Sequence, residues 1–474
     1  MGNTDLLFQS ATELAAMVRA GEVSSRELTE LAYESIDAKN GELNALFALD
    51  PDKAFATADA IEKGDERPFA GVPIAIKDIG VMLAGYPYTS GSDLYGDFTP
   101  DFDSAVVRRI KDAGFVIVGK STTPELGLTP FTKSRRYGAT TNPWDTARTP
   151  GGSSGGAASA VAGGMLPIAH GSDGGGSIRI PAAACGLVGH KASRGLISNA
   201  PLLGDHMLVT EGCVSRTVED SARMLDVLAG YELGDATWAP APAEPFAEAA
   251  KRDPGKLRIG IVLESPIGGD CDPLCMQAVH DAAALLESLG HEVEESTITW
   301  NGQALLGQFT IIWGAMAALV ANFGCTLSGN QITPETALPL TRGLAEQGQT
   351  VLALDAIGAE TTIQAMCRAL ITDMSQYDVV LTPALAQRPP LNADIDIENE
   401  DWYGEFAAGA AFTPYCAFAN LSGLPATAVP MGLGSDGLPL SVQLIGRPVG
   451  DATLLALANQ IEQAQPWAQL RPPS

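Results

Sequence analysis

The sequence predicts an α/β fold, a mixed and twisted β-sheet core covered on both faces by helices. Three observations carry that expectation. Short, largely apolar runs recur at 71–76 (GVPIAI), 115–118 (FVIV), 257–263 and 379–382, as expected of strands buried in a covered sheet. Segments of helical character fall between them, the rhythm of a sheet packed under helices. The length of 474 residues exceeds a small domain but suits one large α/β unit. The expected organisation is therefore a single domain over 1–474, with core blocks at about 60–235, a surface connection at 236–256 and a second half at 257–474.

Taken in order, Ser10-x-x-Glu13 and Ser24-x-x-Glu27 read as capping boxes, and Leu28, Leu31, Ala32 and Ile36 make an apolar stripe, so the chain opens with two helices. The run GVPIAI ends at Lys77 and Asp78, which puts a lysine at the mouth of a core strand. Residues 104–113 read as a helix closed by Gly114, and 115–118 returns as strand. The small apolar residues of 157–164 suit a closely packed helix. Residues 236–256, ATWAPAPAEPFAEAAKRDPGK, are rich in proline and alanine without an apolar period, so they read as a connection over the surface. Strand 257–263, a helix around 277–289 and strand 379–382 then resume the alternation. The apolar stretch 309–323 is shorter than the roughly twenty residues that a membrane helix needs, and a buried core helix is expected there.

Composition excludes several classes of function. With 29 Lys and Arg against 56 Asp and Glu, the formal net charge is −27, a surface that repels phosphate backbones and anionic lipid. Neither nucleic acid nor membrane is expected as a partner. Seven scattered cysteines do not form a disulfide framework, and the N-terminus lacks a basic segment followed by an apolar one, so a cytoplasmic location is expected. Cys271-x-x-x-Cys275 has no second pair at zinc spacing, and the five histidines show no HExxH pattern. No metal and no cofactor are expected.

The chemistry concentrates in two glycine clusters, TPGGSSGGAASA at 149–160 and GSDGGGSIRIP at 171–181, which flank the 157–164 helix. Glycine lets backbone N–H groups approach a ligand closely and adopts conformations barred to other residues. A phosphate cradle fits neither cluster, because GxxxxGK[ST] and GxGxxG are both absent. Residues 151–155 do match the GxSxG nucleophile elbow, but that turn needs a strand directly before it, and TTNPWDTARTP is polar with two prolines. Two flexible loops are the plainest alternative; their placement around one helix, with Lys77 upstream, weighs against it.

These blocks resemble the amidase signature family: Lys77 in GVPIAIKD, PGGSSGGAASA, SDGGGSIRIPAAACGLVG, and NLSGLPATAVPMG from Asn420, with similarity running to the LPLSVQ segment ending at Gln443. The resemblance implies a serine amidohydrolase with a Ser–cis-Ser–Lys triad. Ser177 would be the nucleophile, Ser153 the bridging serine after a cis Gly152–Ser153 peptide, and Lys77 the base. An alcohol is a weak nucleophile toward an amide, so Ser177 needs a base, and lysine serves only when neutral, which burial favours. The N–H groups of Gly174, Gly175, Gly176 and Ser177 would hold the oxyanion. Ser154 and Ser172 are expected as supporting hydroxyls, and Asp173 with Arg179 as a structural pair. Where many members read GLKPT, this chain has Gly189-His190-Lys191-Ala192-Ser193, which bears on local packing.

The branch similarity is to bacterial enzymes that open 6-aminohexanoate cyclic dimers and, more loosely, to aryl acylamidases. The implied substrate is a small amide or a related carbamate or hydrazide, and a homo-oligomer is compatible. Phe131, Tyr137 and Trp313 are candidate pocket walls, with ordinary core packing the alternative for each. The glutaminase component of a tRNA-dependent amidotransferase is the second functional expectation, because it would use the same triad.

Overall fold

The computed structural model describes residues 3–204 and 206–473. The first half begins with α1 (Ala11–Ala20), α2 (Ser25–Leu43), β1 (Leu46–Phe47), α3 (Pro51–Asp59), β2 (Pro73–Lys77), α4 (Ala105–Asp112) and β3 (Val116–Ser121). A short hairpin of β4 (Lys133–Ser134) and β5 (Gly138–Ala139) precedes α5 (Gly155–Ala162), β6 (Ile168–Asp173), α6 (Arg179–Cys185), β7 (Val188–Lys191), β8 (Thr210–Ser215) and α7 (Val218–Leu228). Then come α8 (Phe246–Ala249), β9 (Arg258–Ile261), α9 (Pro273–Ser288), β10 (Glu292–Glu295), α10 (Gly302–Ser328), α11 (Pro339–Thr350), α12 (Ala353–Met374) and β11 (Val379–Pro383). The chain closes with α13 (Trp402–Phe412), α14 (Ala417–Ser422), β12 (Ala426–Leu433), β13 (Pro439–Gly446) and α15 (Asp451–Ala464).

Both opening capping boxes form: Ser10 Oγ accepts from the Glu13 N–H at 3.0 Å and Ser24 Oγ from Glu27 at 3.1 Å. Each such cap contributes about 1 kcal/mol. The stripe of Leu28, Leu31, Ala32 and Ile36 is buried on α2 as its spacing requires.

An eight-stranded mixed sheet runs in the order β10-β9-β11-β13-β12-β7-β8-β6, so strands from both halves of the chain share one sheet. Its β10, β9 and β11 are parallel and its remaining pairings antiparallel. A second sheet, β1-β3-β2, pairs β2 parallel to β3 and lies against β6. Every residue of β2 and of β6 is buried. Ile74 and Ile76, fully buried on β2, each contribute about 1.5–3 kcal/mol by leaving water. The backbone N–H of Lys77 donates to His170 Nδ1 at 3.2 Å and ties the end of β2 to the middle of β6.

Two expectations change. The 236–256 connection is exposed at Trp238 but docks at its second half, where α8 buries Phe246 and Ala247 in the core and Asp226 accepts both of their N–H groups. The apolar 309–323 stretch lies in the 27-residue α10, which is long and apolar enough to cross a membrane by length and composition. That helix is not wholly buried: Phe309, Trp313 and Ala317 face inward, while Leu319 is 65% exposed.

The Gly189–Ser193 departure has a local reason. His190 Nε2 pairs with Asp451 Oδ1 at 3.1 Å, and Ser193 donates to the same carboxylate through its N–H and its hydroxyl, fastening β7 to the first turn of α15.

Candidate active site

Lys77 is the last residue of β2 and is fully buried. Its Nζ lies 2.8 Å from Ser153 Oγ, 3.0 Å from Ser172 Oγ and 3.1 Å from the Ser172 carbonyl. Burial, opposed by the carboxylates of Glu211 and Asp173, pushes its ammonium down to about 7. A protonated Lys77 donates to all three oxygens. The neutral amine keeps two donations to Ser172 and turns its lone pair to the Ser153 hydroxyl.

The Gly152–Ser153 peptide is cis. No strand runs into Ser153 among the described residues of 140–152, so the GxSxG match lacks the strand–turn–helix setting of an elbow. Ser154 stands at the N-cap position of α5, yet its hydroxyl makes no cap bond and donates instead to the Ser172 carbonyl at 3.3 Å. Its N–H donates to the Ser177 carbonyl at 3.1 Å, which fastens the second glycine cluster beside the first. At Gly156 a Cβ would lie on the Thr122 hydroxyl and 2.5 Å from the Ala45 carbonyl oxygen, so α5 packs at a distance that only glycine permits. Gly176 has φ of +124°, and a Cβ there would meet Cys416 Cβ and Ile180 Cδ1 at 2.6 Å.

Asp173 and Arg179 form a buried ion pair, with guanidinium Nε 3.0 Å from Oδ2 and Nη2 3.0 Å from Oδ1. Burial alone would raise the Asp173 carboxyl; the Arg179 charge and the hydrogen bonds from Arg179 and Asn420 outweigh it and hold the group well below the carboxylate range. The remaining guanidinium donors reach the Cys416 carbonyl, Gln443 Oε1 and Asn420 Oδ1.

Asp173 also changes the expected set of oxyanion donors. Gly176 donates its N–H to Asp173 Oδ1 at 2.7 Å, so that donor is already engaged. Among the described residues the N–H groups of Gly174, Gly175 and Ser177 have no acceptor within the protein.

Ser177 and Gly175 open onto a cavity whose walls are mostly apolar, including Leu305, Phe309, Trp313 and Phe406. Gly127 also lines it, and a Cβ there would stand 3.3 Å from Ser153 Oγ, so Ser153 sits just behind the wall. Phe309 and Trp313 stack at 5.1 Å between centroids, and a Cβ on Gly174 would lie 3.8 Å from the Trp313 ring.

Of the three expected wall aromatics, only Trp313 lines this cavity. Phe131 packs in the core against Phe412, with centroids 5.4 Å apart. Tyr137 packs tilted against Phe47 and places its hydroxyl 3.0 Å from Thr89 Oγ1. Thr89 in turn donates its N–H and its hydroxyl to Asp78, which pairs with Lys120 at 2.5 Å and not with its neighbour Lys77.

Reasoning from sequence missed His170, Glu211, Asn420, Gln443 and Glu405. His170 accepts from Lys77 N–H, so its Nε2 proton points to Glu211 Oε2 at 3.0 Å. The signal was available in HGSD and TEGC, polar residues inside wholly buried strands. Asn420 and Gln443 lie in segments that carry the family resemblance, and folding brings them onto Arg179.

The sequence matches the Amidase family model over residues 27–455. The chain belongs to the amidase family. A curated relative, 6-aminohexanoate-cyclic-dimer hydrolase of Paenarthrobacter ureafaciens, is 34% identical over 498 residues, covering 98% of this chain and 97% of that one. The solved structure of a 6-aminohexanoate cyclic dimer hydrolase complexed with substrate superposes with a TM-score of 0.93 at 32% identity, covering 98% and 99% of the two chains. The native peptide amidase from Stenotrophomonas maltophilia superposes with a TM-score of 0.80 at 25% identity, covering 98% of each chain. The protein is thus an amidase, a hydrolase of carbon–nitrogen bonds in amides, with the fold of amidase signature enzymes.

Proposed function

We propose that Ser177 is the nucleophile of this amidase, Ser153 its proton relay and Lys77 the base. The observation that carries the assignment is the Lys77 amine, buried, near neutrality in its pKa and 2.8 Å from Ser153 Oγ, directly behind the wall of the cavity onto which Ser177 opens. Ser153 passes a proton to Lys77 as it takes one from Ser177, whose oxygen attacks the amide carbonyl. The N–H groups of Gly174, Gly175 and Ser177 meet the developing oxyanion. The proton then returns through Ser153 to the leaving nitrogen, amine departs, and water repeats the sequence on the acyl-enzyme.

A largely apolar cavity supports a small amide with an aliphatic or aromatic arm over glutamine, whose polar end would find few partners there. We place the enzyme in the cytoplasm, without nucleic acid or membrane as partner; homo-oligomerisation is compatible with the exposed Leu319, Leu354 and Ile357.

A fluorophosphonate serine probe, with the labelled residue mapped by peptide mass spectrometry, tests the assignment. Labelling of Ser177 that disappears in Lys77→Ala is expected; labelling of Ser153 would overturn it.

A further inference from the structure

We infer that Glu405 is a specificity-determining residue that receives a cationic amine at the far end of a substrate's apolar arm, an inference that rests on the amidase reading above. Glu405 lies on α13 and is the one charged side chain among the described residues lining the Ser177 cavity. Its Oε2 is buried and has no hydrogen-bond partner. A carboxylate oxygen out of water without a donor is costly; it is relieved by taking up a proton or by a donor supplied from outside the chain, and the cavity gives such a donor access.

The charges around Glu405 say which group. Burial, then the negative charges of Asp396 and Glu125, push its carboxyl up to about 7, and only Lys133 acts in the other direction. The Lys133 ammonium is committed elsewhere, to the carbonyls of Asn392 at 3.0 Å and Ile395 at 2.5 Å. An anionic arm would meet three carboxyl groups of its own sign. A neutral donor would satisfy one oxygen and leave the negative potential standing, whereas an ammonium answers both. The aromatic faces of Phe309, Trp313 and Phe406 in the same wall favour a cation as well. The mostly apolar lining of the cavity that Ser177 and this carboxylate share suits a methylene or aromatic spacer.

The test uses paired amides. A series of ω-aminoalkanamides of increasing length is compared with n-alkanamides in which a methyl group replaces the ammonium. A second pair of series carries the same groups on the leaving-amine side. At the best length the cationic member is expected to exceed its methyl counterpart in kcat/KM by about ten- to hundredfold, chiefly through KM, as a charge-assisted hydrogen bond supplies. Glu405→Gln is expected to collapse that ratio toward one. No cation preference in either series, or a ratio unchanged in Glu405→Gln, would overturn the inference.

Calorimetric binding of n-alkylamines against n-alkanols, in both proteins, reads the same site without turnover. Ser177 labelling with no discrimination between these ligands would sink the Glu405 assignment alone. Discrimination lost in Glu405→Gln, with no serine labelling and no amide turned over, would uphold the amine site and remove the catalytic reading.

Discussion

Acidification gives the sharpest test of Lys77 as the base. The group is useful only as the free amine, and burial lowers it from 10.5 to about 7, a bias of about 5 kcal/mol against the ammonium. At about pH 6 roughly a tenth of the enzyme then carries neutral Lys77, at about pH 7 half, and at about pH 8 nine-tenths. The kcat/KM profile should therefore rise through neutrality, with tenfold loss per pH unit below it. An uncharged n-alkanamide is the substrate of choice, because it keeps the titration of Glu405 from contributing an electrostatic effect of its own.

The assignment of that limb is checked by a neighbour. The Glu211 carboxylate is the larger of the two charges pulling Lys77 back up, so Glu211→Gln should move the limb to lower pH while glutamine still accepts from His170. A limb above about pH 9, the range of an ordinary lysine, would refute the argument that burial creates the base. A limb near neutrality that does not move in Glu211→Gln would assign it to another group.

Ser153→Ala should lower kcat by about 10²- to 10⁴-fold with little change in KM, read by steady-state kinetics beside circular dichroism, because it cuts proton transfer and leaves the cavity intact. Arg179→Met should destabilise the fold by about 3–5 kcal/mol in urea denaturation, since it strands Asp173 as a buried charge. Gly156→Ala should cost at least about 1–3 kcal/mol in the same measurement, because the new Cβ presses on the Thr122 and Ala45 backbone, which cannot rotate away.

Features written in backbone chemistry were legible in the sequence. Gly151 to Gly156 and Gly174 to Gly176 advertise close approach, and the structure uses it at Gly156 and Gly176. The opening helices were equally plain, because capping boxes and an apolar stripe are local. Trp313, Phe131 and Tyr137 could not be sorted in advance: an aromatic side chain looks the same in a sequence whether it faces a cavity or a core, and only Trp313 faces the cavity. Glu405 left no trace, because its meaning depends on what surrounds it, an apolar wall assembled from α10, α13 and α14. The helix α8 was hidden for a related reason. Proline and alanine mark a connection, but Phe246 docks because Asp226 and the core stand ready to receive it.

The Asp173–Arg179 pair bears on the proposed chemistry although neither side chain lines the cavity. Lys77 must stay near neutrality in pKa, yet two carboxylates, Glu211 and Asp173, lie close enough to draw it upward. Glu211 is held by His170, and Asp173 is held by Arg179 at 3.0 Å through two donors. An Asp173 without its guanidinium would pull harder on Lys77 and would lose the two donors that orient the carboxylate toward the Gly176 N–H, which it accepts at 2.7 Å. Ion pairing in the scaffold thus bears on both the protonation of the proposed base and the shape of the turn that presents Ser177. This explains why a buried arginine, expensive to desolvate and of little net value to stability, stands two residues from the proposed nucleophile.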